Sequence, residues 1–435
     1  MVESNPKKSF RWRSVLNLLF VIVGLFVCYK LSVDTVKGSI ARLFSAVAIG
    51  QSRVDPADTA VRMYPADPEA HYTRALMLVN ANRLEEAVTE LREATRLRPH
   101  HYYQWLDLGV TLDRVGDQAG SVAALKESVR LAPKFAQPRW QLGNLFFRLG
   151  QYQEAFAELR VAAKSNPNLF QALMGLAWAA ADGDVKTFET LVEPDTRERH
   201  FLIASFLANQ RKGPEAARQI KEGGEPAERW ERDIVNEAIV RLFLAEQFSD
   251  AWVAWSATHK VSAGDPTHGQ LLNGNFTDPI IPDDPGFGWQ VVTNPEVSIS
   301  IDPAGPGSNT RSVSLQFGGV DSGRQLIEQL VLLQPNSRYS LTFMAKNEEL
   351  ISGGPPVINV VAIRNKTYRI LAQSGPLLPG TRDWSAYNVD FSTDENTSAV
   401  NVALQRLPCS QNPCPIFGKL WLGSFSLTKV AGPPR

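Results

Sequence analysis

The stretch LGNLFFRLGQYQEAF (142–156) has the apolar spacing of a helix, yet it holds two glycines seven residues apart, Gly143 and Gly150. A glycine inside a helix costs about 1 kcal/mol against alanine, so two in one stretch need a reason. The reason lies in a period. Thirty-four residues earlier, Gly109 and Gly116 stand in WLDLGVTLDRVGDQAGSVAAL (105–125) with the same separation. The same step relates Leu108 to Leu142, Leu125 to Leu159, and Pro99 to Pro133 and Pro167. One step further back, HYTRALMLVNANRLEEAVTELREATRLRP (71–99) keeps Leu91, Ala94 and Pro99, with Ala75 and Asn82 in place of the glycines, and Pro65 continues the register.

Small, large and proline positions recurring together at this step resemble the tetratricopeptide repeat, over residues 68–168. The resemblance implies two short antiparallel helices per repeat. Gly143 then stands where the first helix lets its partner approach closely, and Gly150 at the turn, where positive φ is cheap only for glycine. Ala155 and Ala162 are close-contact positions of the second helix, and proline stops that helix. One repeat cannot bury its apolar face alone, so neighbours stack into a solenoid. Around the clear repeats the pattern decays. Residues 40–64 read as a degenerate pair, 169–192 and 200–222 keep the helical period without the signature, and 228–257 regain a helix–turn–helix look with Ala251 in the packing position. The solenoid is therefore expected over 34–262.

The resemblance also implies which side chains face the groove of first helices: Tyr72, Leu106 and Trp140 at one level, Asn80, Arg114 and Arg148 at another, with Asn144 between them. An aromatic and basic groove suits an extended peptide or a partner's helix. The lysines and paired asparagines of the family's carboxylate clamp are missing. The alternative is that Tyr72 and Trp140 pack against a further helix.

Ahead of the repeats, KKSFRWR (7–13) precedes SVLNLLFVIVGLFVCYKLSV (14–33), an apolar run long enough to cross a bilayer as a helix. A cleaved signal peptide is the rival reading, but YKLSVDT lacks the small residues such a site needs. The expectation is a stub over 1–13, a single transmembrane helix over 14–33 and a cytoplasmic N-terminus, which the basic residues before the span favour modestly. Cys409 and Cys414 lie in PCSQNPCP without the further His or Cys that a tetrahedral zinc site requires. A disulfide closing this small loop is expected, with two unrelated thiols as the alternative. Disulfides persist in oxidising compartments, so both features place the bulk of the chain outside the cytoplasm, at the inner (plasma) membrane.

From about residue 262 onward Gly, Pro, Asn and Asp rise and short alternating segments follow: VSISI (297–301), RSVSLQF (311–317), RYSLTFMAK (338–346), VINVVAI (357–363), AYNVDF (386–391), AVNVALQRL (399–407) and KLWLGSFSL (419–427). Seven to nine strands over 263–435 indicate an antiparallel β-sandwich. The order of landmarks, LLNGNF leading to GW, a strand running into LQPNSRY, then DWSAYNVDF and GKLWLGSFSL, resembles the galactose-binding-like jelly roll of many carbohydrate-binding modules. That resemblance makes Trp289, Trp384, Tyr387 and Trp421 candidates for stacking on a sugar, with packing in the core as the alternative. Trp421, Phe425 and Leu427 are expected on one strand face, in the core. Gly423 and Ser424 replace the Asp often found in the family's last strand, so no metal is expected.

The fold class is thus multidomain α + β: one transmembrane helix, a tetratricopeptide solenoid, then a jelly-roll β-sandwich. Charge excludes one function class, because 45 basic and 45 acidic residues leave no net charge for nucleic-acid binding. No metalloprotease, nucleophile-elbow, phosphate-loop or dinucleotide-binding pattern is present. The expectation is a non-enzymatic, membrane-anchored adaptor of the cell envelope with no cofactor. A protein partner is expected in the groove, and a polysaccharide is the candidate ligand of the sandwich, in exopolysaccharide or envelope assembly. A carbohydrate-binding protein with the solenoid as its stalk is one alternative, and an enzyme with an unrecognised site is a lesser one.

Overall fold

The computed structural model describes residues 7–259, 269–281, 284–291, 296–319, 326–364, 367–409 and 414–430. Expected features at residues 1–6, the expected division at 262–263 and the last five residues lie outside them. The chain forms two compact units, Met1–Glu193 and Pro194–Arg435.

The first unit is helical: α1 (Lys7–Gln51), α2 (Val54–Met63), α3 (Pro68–Asn80), α4 (Leu84–Leu97), α5 (Tyr102–Arg114), α6 (Gln118–Leu131), α7 (Ala136–Arg148), α8 (Tyr152–Ser165), α9 (Phe170–Ala180) and α10 (Val185–Val192). The glycines behave as their positions demand. A Cβ on Gly143 would lie 2.6 Å from Leu159 Cγ and 3.0 Å from the Ala155 carbonyl oxygen, and one on Gly109 would lie 2.6 Å from Leu125 Cγ. Gly116 and Gly150 have φ of +87° and +74° at the turns, and Asn82 takes their place at φ +56°. Asparagine is among the few side chains that visit this region readily.

A second period appears only in three dimensions. The carbonyl of the proline before each first helix accepts a hydrogen bond from a side chain six residues on. His71 Nε2 holds Pro65 at 2.9 Å, Trp105 Nε1 holds Pro99 at 2.8 Å, and Arg139 Nε holds Pro133 at 2.9 Å. The same position reaches its second helix nineteen residues on: His71 Nδ1 lies 2.6 Å from Glu90 Oε2, and Arg139 Nη1 donates to Glu158 at 2.5 Å.

The apolar N-terminal helix does not stop at residue 33. It runs on to Gln51, where Ala41, Ser45 and Ala48 are buried beside α2 and α3. The degenerate pair expected over 40–64 exists, but its first member is the end of this long helix. From Val15 to Gln51 the helix is long and apolar enough to cross a membrane, and Leu18, Phe20, Leu25 and Phe26 are exposed.

The second unit joins helices to sheets: α11 (Arg197–Asn209), α12 (Gly213–Gly223), α13 (Arg229–Leu244) and α14 (Phe248–Thr258), then β1 (Gln290–Val291), β2 (Val297–Asp302), β3 (Ser312–Gly318), β4 (Ile327–Leu332), β5 (Arg338–Ser352), β6 (Pro356–Arg364), β7 (Thr367–Gln373), β8 (Gly380–Ser392), β9 (Ala399–Arg406) and β10 (Ile416–Val430). The α11–α12 pair reuses the repeat's device, since His200 Nδ1 lies 2.7 Å from Gln219 Oε1, again nineteen residues on. Two antiparallel five-stranded sheets, β1-β4-β9-β6-β7 and β2-β3-β10-β5-β8, enclose one core that includes Ile358, Val402, Leu341, Phe343 and Leu420. Chain connections cross between the sheets, as a jelly roll requires.

Helices α11–α14 thus fall in one compact unit with the sandwich, and α13 and α14 meet the segment that leads into it. The reason is apolar. Phe287 packs edge-on against Trp252 and Trp255 at ring distances of 4.9 and 5.8 Å. Trp255 Nε1 donates to the buried Asp284 carboxylate at 3.0 Å, and His259 stacks on the Trp255 ring at 4.3 Å. Gly286 is required here, because any Cβ would overlap the Trp255 ring.

Trp421 corrects the expected strand face. The register of β10 on β5 slips between Gly423 and Ser426, with Ser424 at φ +50°. This β-bulge turns Phe425 and Leu427 inward while Trp421 is half-buried on the opposite face. There its Nε1 donates to Asp302 at 2.9 Å and Lys346 lies 5.7 Å over the ring.

Candidate functional site

The first helices α3, α5 and α7 are tied side by side by polar rungs. Tyr72 donates to Asp107 Oδ2 at 2.5 Å, and Arg148 donates to Asp113 Oδ2 at 2.5 Å. These bonds place Tyr72 and Arg148 on the face where first helices adjoin. Tyr72 is half-buried and meets Tyr103 edge-on at 5.1 Å. Burial, then the Asp107 bond, push the Tyr72 hydroxyl pKa up. Burial also raises that of Asp107 against the pull of the Tyr72 bond.

Trp140 is half-buried, and Asn144 donates to its backbone carbonyl at 2.8 Å. Asn80, Arg114 and Arg148 are exposed near the C-terminal ends of their helices, one per repeat. The face therefore carries aromatic rings at one level and polar and cationic groups at the next. Leu106 is a correction. It is 3% exposed and belongs to the interior of the unit instead of the groove. Sequence reasoning missed Asp107, Asp113 and Tyr103. The rungs join residues 35 apart, one beyond the repeat step, and the acidic partners do not recur in every repeat.

In the second unit the aromatic candidates do not gather. Trp289 is corrected outright. It is 4% exposed, its ring packs against Phe425 at 4.9 Å and Phe276 at 5.3 Å, and its Nε1 donates to the Asn273 carbonyl. This is the core packing given as the alternative for it. Tyr387 is half-buried and stacked on Phe343 at 5.1 Å. Trp384 is half-buried on β8, where the register against β5 slips. Cys409 and Cys414 form a disulfide with a Cα–Cα distance of 6.0 Å, and the intervening residues 410–413 lie outside the described set. Among the described residues no three His, Cys, Asp or Glu side chains converge as a metal ion would need.

A cleft does exist in this unit, at a place the sequence reading did not name. It holds about 250 Å³. One wall is the α13–α14 turn, with Phe243, Leu244 and Phe248, and the floor is the outer face of the β1-β4-β9-β6-β7 sheet, with Gln290, Glu328, Leu330, Asn401 and Ile363. Tyr368 stands at the rim. The alternation in β4, where Ile327 and Gln329 are buried and Glu328 and Leu330 are not, was the available signal.

Residues 57–102, 78–136 and 106–170 match the family model described as tetratricopeptide repeat. The repeats of the first unit are tetratricopeptide repeats. Among curated proteins, Protein FlbA of Caulobacter vibrioides is 34% identical over 101 residues, 23% of this chain and 17% of FlbA. The chain therefore spans about a sixth of that relative's length. Among solved structures, MamA 41-end from Desulfovibrio magneticus RS-1 is 21% identical, covering 36% of this chain and 94% of its own, with a TM-score of 0.30. A structure described as "CBM4 structure and function" is 12% identical, covering 37% of this chain and 100% of its own, with a TM-score of 0.28.

Proposed function

We propose that the protein is a non-enzymatic, membrane-anchored scaffold of the cell envelope that binds a protein partner on the first-helix face of its tetratricopeptide unit. The observation that carries this reading is the graded face itself, with half-buried Tyr72 and Trp140 at one level and exposed Asn80, Arg114 and Arg148 at the next. Rings supply contact area at low entropy cost, and the cations choose the orientation of an extended segment. In co-purification of the full chain from its native membrane, Arg114→Glu combined with Trp140→Ala should lose the partner while the melting temperature stays within a few degrees. Retention of the partner by that variant contradicts the reading.

Anchoring is supported by α1. The 37 residues of this helix from Val15 to Gln51 extend about 55 Å, against the roughly 30 Å of a bilayer's hydrocarbon core. The remainder continues straight into the repeat unit as packed helix. An extracytoplasmic position for the rest of the chain is supported by the basic residues before the span and by the disulfide. A polysaccharide role for the sandwich has half-buried Trp384 as its remaining candidate tryptophan, and a glycan array probed with the full chain and with Trp384→Ala tests it. Loss of a glycan signal in the variant supports that role, and no signal from either chain contradicts it.

A further inference from the structure

The cleft of the second unit has a specific hydrogen-bonding character. The Asn401 amide nitrogen donates to Glu328 Oε2 at 2.8 Å, and the Gln290 amide nitrogen donates to the Asp284 backbone carbonyl. A carboxylate and a carbonyl can only accept, so both amide orientations are fixed. What remains unmatched among the described residues is a set of oxygens: Glu328 Oε1 and the amide oxygens of Asn401 and Gln290. Glu328 lies on β4 between buried neighbours and has no cationic partner among the described residues. The other lining groups are a second acidic residue, Glu246, and rings and aliphatic groups such as Phe243, Phe248, Tyr368, Leu330 and Ile363. The cleft is thus acceptor-rich, carries a half-buried negative charge, and is faced with aromatic surface.

We infer that this cleft receives the guanidinium group of an arginine side chain carried by a protein partner. Guanidinium has donors only, and unlike the compact ammonium of lysine it presents five of them in one plane that stacks on aromatic faces. A carboxylate with two amide oxygens matches those donors, and Phe243, Phe248 and Tyr368 offer the faces. Size selects a single side chain. A volume of about 250 Å³ is below the roughly 300–1,000 Å³ of small-molecule sites, and smaller still than an oligosaccharide needs. Tyr368 is 70% exposed and Leu244 66%, so a segment of another protein can reach the rim without rearrangement of the fold. Burial raises the Glu328 pKa, so the site loses its charge at a higher pH than an ordinary carboxylate would. The inference concerns the second unit alone and does not rest on the first-helix face.

The test uses the full chain in detergent and a dye-labelled, otherwise neutral Ala-Gly peptide with one central arginine, read by fluorescence anisotropy. Its isostere carries citrulline, which keeps the shape and loses the charge. The expected result is saturable binding of the arginine peptide, at least tenfold weaker for citrulline, at least tenfold weaker for Glu328→Gln, and several-fold weaker for Tyr368→Ala. The latter two variants keep the wild-type melting curve, because Gln can still accept from Asn401 and Tyr368 lies at the surface. Equal binding of the citrulline peptide, no binding of the arginine peptide, or indifference to Glu328→Gln overturns the inference. Saturable binding of a neutral glucose oligosaccharide that Glu328→Gln abolishes overturns it as well, by making the cleft a sugar site.

Discussion

The proline carbonyl ahead of each repeat is held by three different side chains, a histidine, a tryptophan and an arginine, and the histidine does the arginine's work. His71 faces a carbonyl with one ring nitrogen and a carboxylate with the other, and both can only accept, so both nitrogens donate only as imidazolium. Arg74 donates to the other Glu90 oxygen at 2.6 Å and to Asp58 at 2.6 Å, completing a chain from α2 to α4. Burial works against the charged ring, but the bonds to Glu90 and Pro65 and the charges of Glu90 and Glu93 outweigh it and hold the His71 pKa above its ordinary value. A raised folded pKa means a contribution that is complete below the unfolded value and is lost as pH rises through the folded one. The first unit should therefore melt lower above neutrality than at pH 6, by about 2–4 °C for each kcal/mol lost. His71→Arg, which copies residue 139, should remove this dependence, and His71→Gln should be destabilised at both values. Melting of the three chains at pH 6 and pH 8.5 checks this, and an unchanged slope in His71→Arg contradicts it.

At the scale of the element, what could be read in advance was what sterics enforce. Gly143, Gly150 and the prolines were legible because close packing, positive φ and a missing N–H leave few substitutes. Gly143→Ala should cost about 1–3 kcal/mol, since its Cβ meets the Leu159 side chain and the Ala155 carbonyl. Gly150→Asn should cost a fraction of that, because the position is open and Asn82 already occupies its equivalent. Denaturant midpoints of the two variants give the comparison, and equal losses would contradict the packing argument. Polar side-chain pairing was not legible. Asp107 and Asp113 follow no period, and an acidic residue on a helix surface has many partners open to it. Trp421 was misplaced because a bulge at Gly423–Ser426 breaks the alternation that a strand reading assumes. Strand β7 was missed because its exposed Tyr368 and Ile370 sit at a sheet edge, where little burial pattern survives. Helix α1 was divided at the end of its apolar run, although no proline interrupts residues 34–51.

At the scale of the whole molecule, composition and repeat period were enough for the fold class, while the sites were not. The groove residues came from the repeat's own geometry, and all but Leu106 lie on the surface or half-buried. The cleft could not be read from sequence, because Gln290, Glu328 and Asn401 are brought together by three strands far apart in the chain. An alkaline phosphatase reporter fused after Arg435 should be active if that end is extracytoplasmic, and an inactive but stable fusion would contradict the proposed orientation. The central claim, that the first-helix face binds protein, is tested most directly by a photocrosslinking amino acid placed singly at Asn80, Arg114 and Arg148, and at Thr89 and Ala123 on the second helices, in cells. The account predicts one discrete adduct of the same mass from the first three positions and none from the last two. Adducts of equal yield from both sets, or none from the first set, would contradict it.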